Sequence, residues 1–303
     1  MYNYKLMVEL EILKERRDIA YSYLESCRLC PRECGVNRLR GEKGVCGVDA
    51  RLWVSSYGPH YGEEPPLSGT NGSGTIFFTY CNLKCVYCQN YTISQLGDGD
   101  IITEEDLAGM MLYLQNLGCH NINLVTPTHF VPQILSALVM AVKKGFNIPI
   151  VYNTSGYERL EVLNLLDGIV DIYLPDMRYS SEVYAVKYSS APRYPEVNRL
   201  AVKEMFRQVG NLLLDRDGIA KRGLIIRHLV MPEDISGTEE VLKFIAEEIS
   251  KDTYISLMAQ YRPVYKAIDI PPINRRITRE EYKKAIEIAR SLGLRNVWTQ
   301  MVL

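Results

Sequence analysis

Three cysteines fall within the eight residues Cys81-Asn82-Leu83-Lys84-Cys85-Val86-Tyr87-Cys88. Thiolates are soft ligands that select iron–sulfur clusters, zinc or Cu(I). Intervals of three and two residues let one tight loop offer all three sulfurs to a single small object. A four-iron cubane held by three cysteines keeps one iron free of protein. That corner is open to a ligand, as the vacant position of a catalytic zinc is. A zinc site would need a fourth ligand from elsewhere, and a structural cluster normally recruits a fourth cysteine.

A second set lies ahead of the first. Cys27, Cys30, Cys34 and Cys46 are separated by two, three and eleven residues, among Gly35, Gly41, Gly44 and Gly47. Four thiolates in a glycine-rich segment can close a tetrahedral zinc site or hold a second cubane with every corner filled, and the spacing is compatible with both. Cys119 stands alone and reads as a small apolar core residue. The glycine-rich Gly69-Thr70-Asn71-Gly72-Ser73-Gly74 lacks the Lys-Ser/Thr of a phosphate loop and precedes a strand, so it reads as a turn.

The rest of the chain must position these thiols. Its 303 residues are 47% apolar and 23% charged, the balance of a globular protein. Thirty-five basic residues against thirty-six acidic ones produce no global field of the kind that draws nucleic acid, so nucleic acid is not the expected partner. Arg28, Arg32, Arg38, Arg40 and Lys43 form a local basic run, read as a solvated face around the front cysteines. The N-terminus has no signal-peptide pattern, and no window reaches the ~18 to 20 apolar residues of a membrane span. The expected location is therefore cytoplasmic, where eight cysteines serve as metal ligands rather than disulfides.

A charged, helix-compatible pattern covers residues 5–25, and 27–75 is rich in Gly, Pro and Cys. From residue 76, six apolar runs suited to strands alternate with amphipathic stretches: T-I-F-F-T-Y, I-N-L-V, I-P-I-V-Y-N, V-D-I-Y-L, L-I-I-R-H-L-V and Y-I-S-L-M. Helix starts are signalled by Thr103 with Asp106, Ser236 with Glu239, and Thr278 with Glu281. The pattern predicts an α/β fold: a partial (β/α)6 barrel of parallel strands, preceded by a cysteine-rich, loop-dominated metal module. The expected division is an N-terminal helix and metal module over 1–75 and the barrel over 76–303. Chemistry in such folds sits at the carboxyl ends of the strands.

The loop C-x3-C-x2-C with an aromatic before its last cysteine, placed after the first strand of such a chain, resembles that of the radical S-adenosylmethionine (SAM) superfamily. The front module, G-E-E-P-P-L-S-G-T-N-G-S-G-T-I-F-F, N-L-V-T-P-T-H-F, V-Y-N-T-S-G-Y and I-T-R-E-E-Y resemble the pyruvate formate-lyase activating enzyme-like branch with an N-terminal four-cysteine extension. The resemblance implies a 4Fe-4S cluster on Cys81, Cys85 and Cys88 whose open iron chelates SAM. Reductive cleavage then yields a 5'-deoxyadenosyl radical that abstracts hydrogen from a target. It implies Tyr87 at the adenine, and Asn153, Thr154 and Gly156 beside the SAM amino group. Asp176 and Arg178 would lie near the SAM carboxylate, with Arg227 on the next strand.

The family's Gly-Gly-Glu-Pro stretch is replaced by Val125-Thr126-Pro127-Thr128, and His129 follows as a candidate proton donor or substrate contact. Gln260 stands where the activases have a histidine. The implied partners are an electron donor such as flavodoxin or ferredoxin and a protein substrate, with a glycyl radical enzyme as the first candidate. Modification of a small metabolite or of RNA, and a non-catalytic metal-binding or electron-transfer role, are the alternatives.

Overall fold

The computed structural model describes residues 10–301. Helix α1 (Leu10–Ser22) occupies the charged segment at the front, and residues 5–9 of that segment lie outside the described residues. Ten strands form one sheet: β1 (Leu52–His60), β2 (Ser73–Phe78), β3 (Asp100–Ile102), β4 (Ile122–Val125), β5 (Ile150–Thr154), β6 (Ile172–Pro175), β7 (Leu213–Leu214), β8 (Ala220–Leu229), β9 (Tyr254–Met258) and β10 (Asn296–Thr299). Their order is β10-β9-β8-β6-β5-β4-β2-β1-β3, with β7 on the side of β8. Every pair from β2 to β10 along this path is parallel. Strands β1 and β3 extend the β2 edge antiparallel.

All six runs expected as strands form, and the fold is α/β with a mostly parallel sheet, a partial barrel whose terminal strands β3 and β10 do not pair. Strand β5 is buried at all five positions, as a strand with helices outside and a barrel interior inside must be. Strand β10 adds a parallel strand beyond the six. Its Asn-Val-Trp-Thr is half exposed and lacks the apolar run that marks the others.

Helix α2 (Glu104–Asn116) begins with a Thr103–Asp106 capping box, and α3 (Val131–Lys143), α4 (Leu160–Leu166), α5 (Glu182–Ser189) and α6 (Tyr194–Val209) follow. Helix α7 (Thr238–Phe244) departs from the expected start. Gly237 at φ 64° precedes it, and Asp234 Oδ1, rather than the Ser236 hydroxyl, accepts the Thr238 amide at 2.8 Å. The Ser236 hydroxyl instead accepts the Met231 amide at 3.4 Å. Helix α8 (Arg279–Ser291) has the Thr278–Glu281 capping box that its sequence signals.

Two features below and beside the sheet bear on the site. A single helical turn, Pro65–Ser68, enters the barrel: Leu67 packs against Val151, Ile172, Leu174, Ala220 and Ile225 and is fully buried. Proline at the start of the turn presets its φ, and the Asn121 amide donates to Leu67 O at 2.9 Å. In the front segment, Arg38 is 1% exposed and donates to Asp49 O at 2.8 Å and to His129 O at 2.9 Å. The basic run is therefore not wholly a solvated face, because this guanidinium fastens the segment to the loop after β4. Gly47, at φ 94°, lies against the Tyr80 ring, where an added Cβ would come within 3.2 Å.

Candidate active site

The cysteine loop leaves the carboxyl end of β2 and is held by neighbouring backbone. Lys84 N donates to Ser189 O at 3.0 Å, Val86 N to Tyr188 O at 2.8 Å, and Ala267 N to Val86 O at 3.0 Å. The last carbonyls of α5, which have no partner within a helix, thus set the path of the loop. Cys81, Cys85 and Cys88 line one cavity of about 390 Å³. Each sulfur has a polar partner: Leu83 N donates to Cys81 Sγ at 3.3 Å, and Arg178 Nη1 and Ser189 Oγ donate to Cys85 Sγ at 3.2 and 3.0 Å. Cys88 Sγ and Ser94 Oγ are 3.0 Å apart.

Such donors stabilise sulfur that carries negative charge and tune a cluster bound to it. Burial pushes the Cys81 thiol up to about 12 and raises Cys88, so a metal centre bound by these sulfurs would displace protons. Among the described residues no three His, Cys, Asp or Glu side chains converge as a single ion requires. A cubane distributes its ligands over separate irons. Three sulfurs that share one cavity and each have a polar partner fit that wider object.

The residues after β5 and β6 face the same cavity. Asn153, Thr154 and Ser155 line it, as do Asp176 and Arg178. Arg178 pairs with Asp176 at 2.5 Å while its other nitrogen bonds Cys85, so one guanidinium joins the cysteine loop to the β6 end. Thr154 is turned away: its hydroxyl donates to Glu158, which Thr128 Oγ1 also reaches at 2.5 Å. Ser155 lines the cavity, and its buried hydroxyl has no hydrogen-bond partner among the described residues. Gly156 at φ 70° sits behind the wall, where a Cβ would meet Asp176 O at 2.6 Å.

Arg227 on β8 is taken up by two carboxylates. Glu64 accepts Nε and Nη2 at 2.7 Å each, and Glu63 accepts Nη2. Burial pushes the Glu64 carboxyl up, but the Arg227 charge outweighs it and the net shift is downward. Arg227 also reaches Asn153 Oδ1 at 3.4 Å. Two further expected residues stand outside the cavity wall. Tyr87 is buried behind the loop, its hydroxyl 2.6 Å from that of Tyr179. His129 is 1% exposed, with Nε2 2.9 Å from Thr79 O, and burial lowers it to about 3, so the ring is neutral.

Glu63, Glu64, Ser155, Trp298 and Gln300 also line the cavity, and sequence reasoning did not single them out. Ser155 lies within the Asn-Thr-Ser-Gly turn, and Glu63 and Glu64 within the stretch G-E-E-P-P, but the sequence alone assigns none of them a role. The acidic pair precedes β2 and finds its arginine some 163 residues later in the chain.

In the front module Cys27, Cys30 and Cys46 are 5, 7 and 6% exposed, and Cys34 Sγ accepts the Val45 amide at 3.3 Å. Burial raises Cys46, and the neighbouring Cys27 and Cys34 add to the rise, which places the sulfurs within electrostatic reach of one another. Arg32, between Cys30 and Cys34, donates to Asn82 O of the cysteine loop at 2.9 Å. Among the described residues no helix is long and apolar enough to cross a membrane.

Residues 75–210 match the Radical SAM superfamily. The chain is 33% identical over 297 residues to the uncharacterized protein MJ0674 of Methanocaldococcus jannaschii, covering 95% of this chain and 81% of that protein. It is 26% identical over 291 residues to the uncharacterized protein MJ0808 of the same organism, covering 88% and 77%. Among solved structures it is similar to SuiB of Streptococcus suis, at 10% identity and TM-score 0.48, over 74% of this chain and 47% of that one. It is also similar to HydG, a maturase of the [FeFe]-hydrogenase, at 14% identity and TM-score 0.48, over 73% and 48%. With a superfamily match that spans the three-cysteine loop and the ends of β4, β5 and β6, the chain belongs to the radical SAM superfamily, whose members use a 4Fe-4S cluster and SAM.

Proposed function

We propose that this chain is a radical SAM enzyme in which Cys81, Cys85 and Cys88 hold the cluster and the cavity beside them holds SAM and the reacting part of a target. The observation that carries this reading is the shared cavity of the three sulfurs, with the Asp176–Arg178 pair reaching Cys85. When bound, the cluster and SAM supply a one-electron cleavage of a carbon–sulfur bond and a species that takes hydrogen from the target.

The chain's own residues bind, orient and exclude water. Arg178 offers a guanidinium for a carboxylate, and the unpartnered Ser155 hydroxyl offers a hydrogen bond. Arg227 is already neutralised by Glu63 and Glu64, so it serves as a fixed strut of the wall rather than a free anion site. The front cysteines are the candidate ligands of a second metal centre, and because among the described residues no three of them converge on a single ion, a second cluster suits them better than zinc.

The target is a protein segment, and activation of a glycyl radical enzyme is the form of this chemistry suggested by the likeness to the activating-enzyme branch. The test is anaerobic reconstitution, a count of iron, sulfide and zinc, and assay of 5'-deoxyadenosine with dithionite, with and without a glycyl radical enzyme. The reading expects formation of 5'-deoxyadenosine and, with the right partner, a glycyl radical signal in EPR. An EPR spectrum of the reduced cluster that does not change on adding SAM would sink it.

A further inference from the structure

The outside of the cysteine loop carries its own pattern. Val86 N bonds Tyr188 O and Val86 O accepts Ala267 N, at 2.8 and 3.0 Å. Backbone neighbours bonded in this way lie about 5 Å apart. Lys187 and Lys266, next to those two partners, therefore flank Val86, and Lys84 lies on the loop itself. Among the described residues none of the three lysines forms an ion pair, in contrast to Lys14, Lys144, Lys203, Lys221 and Lys283. Lys187 and Lys266 instead stand over the rings of Tyr188 and Tyr265, at 5.0 and 5.3 Å.

Apolar side chains surround them: Val183, Val186 and Ile268 are 71, 47 and 57% exposed. Val183 and Val186 are three apart on α5 and so share a face. The carboxylates of these segments are few. They are Glu182, which accepts the Arg193 amide at 2.7 Å and keeps its charge, and Asp269, so the three lysines remain in excess.

We propose that this basic, apolar-centred patch docks an acidic one-electron carrier protein, which supplies the electron the reaction consumes. The inference rests on the cluster reading above. In the step, the carrier is oxidised by one electron and the iron–sulfur centre on Cys81, Cys85 and Cys88 is reduced by one, with no bond or proton transferred. Position argues for a carrier over a target. A target has to enter the cavity on the inner side of the loop, whereas an electron need only reach a sulfur, and the buried Cys85 is the chain neighbour of both Lys84 and Val86. Unpaired lysines favour an acidic partner and speed encounter. Exposed valines and isoleucine suit a protein face better than a phosphate backbone, which is bound chiefly by charge.

The test uses the reconstituted full chain and a recombinant acidic flavodoxin as probe. Affinity is read by fluorescence anisotropy at several salt concentrations for the wild type, for the double variant Lys187→Glu/Lys266→Glu, and for the control Lys243→Glu on α7. The double variant should bind about tenfold or more weakly with a flatter salt dependence, and the control should bind as wild type. In the same variant, cluster reduction followed by EPR should slow with flavodoxin and not with dithionite. Unchanged affinity in the double variant, or displacement of flavodoxin by a single-stranded RNA oligonucleotide, would overturn the docking face while the cluster stands. Absence of any cluster signal with dithionite in the wild type would overturn the cluster reading, and the electron step with it.

Discussion

The two cysteine sets are built in opposite ways. Cys81, Cys85 and Cys88 lie on a loop whose sulfurs face a cavity, and each has a polar partner at the sulfur. The front four sit in tight turns, three of them below a tenth exposed, and Cys46 packs into the main core with Leu24, Leu29 and Val48. A sulfur that faces a cavity can hand chemistry to a ligand. A sulfur packed among leucines can only hold what it binds. On the function proposed above, the contrast would give the two sets different work although their residues are the same, and Arg32 ties one to the other.

The largest expected effect sharpens this contrast directly. Cys85→Ala should reduce SAM cleavage under dithionite to background with the far-UV circular dichroism unchanged. Cys30→Ser should retain cleavage and lose stability, about 1 to 3 kcal/mol, because it replaces a buried thiol, a proposed metal ligand, with a more polar hydroxyl that costs more to bury. The comparison breaks if Cys30→Ser abolishes cleavage at wild-type stability.

Next in size is Arg227→Met, which strands Glu63 and Glu64 in the wall of the cavity. Removing one side of a buried ion pair costs about 3 to 5 kcal/mol, to be read by urea denaturation. Adding Glu64→Gln to Arg227→Met should restore part of that loss. If Arg227 served chiefly to hold an anionic ligand, the single variant would be as stable as wild type and weaker only in ligand binding.

The effect most dependent on conditions concerns Glu158, which has contacts toward both regions. It accepts hydroxyls from Thr128 and Thr154 on the cavity side and is close enough to Cys30 to help raise that thiol, after burial. Burial raises Glu158 itself to about 7 from an ordinary 4.5. The folded state thus binds this proton more tightly than the unfolded state. The resulting stabilisation is fully present below about pH 4.5 and is lost as pH rises through about 7, on the order of 3 kcal/mol in all. Glu158→Gln should remove that part of the slope of Tm against pH between 5 and 8. An unchanged slope would mean that the carboxyl is already ionised throughout.

How far the sequence discloses this molecule depends on how local each signal is. The six buried strands are legible because a strand covered on both faces must be apolar throughout, and the capping boxes at Thr103 and Thr278 because they are complete within four residues. The cysteine loop is legible for the same reason. Strand β10 was missed because its residues are half exposed, and the start of α7 because an aspartate two residues before Ser236 took the capping role. Arg38 reads as one more charge in a basic run, yet it is buried by two carbonyls, one of them 91 residues away. The partnership of Glu63 and Glu64 with Arg227 has no local trace at all, since only the closing of the barrel brings them together.

The turn that carries Leu67 has a consequence for traffic through the molecule. With that side chain wedged among Val151, Ile172 and Ile225, the interior of the partial barrel is filled beneath the cavity. Whatever occupies the cavity shared by the three thiols therefore comes and goes at the carboxyl ends of the strands or through the seam between β3 and β10, not from beneath.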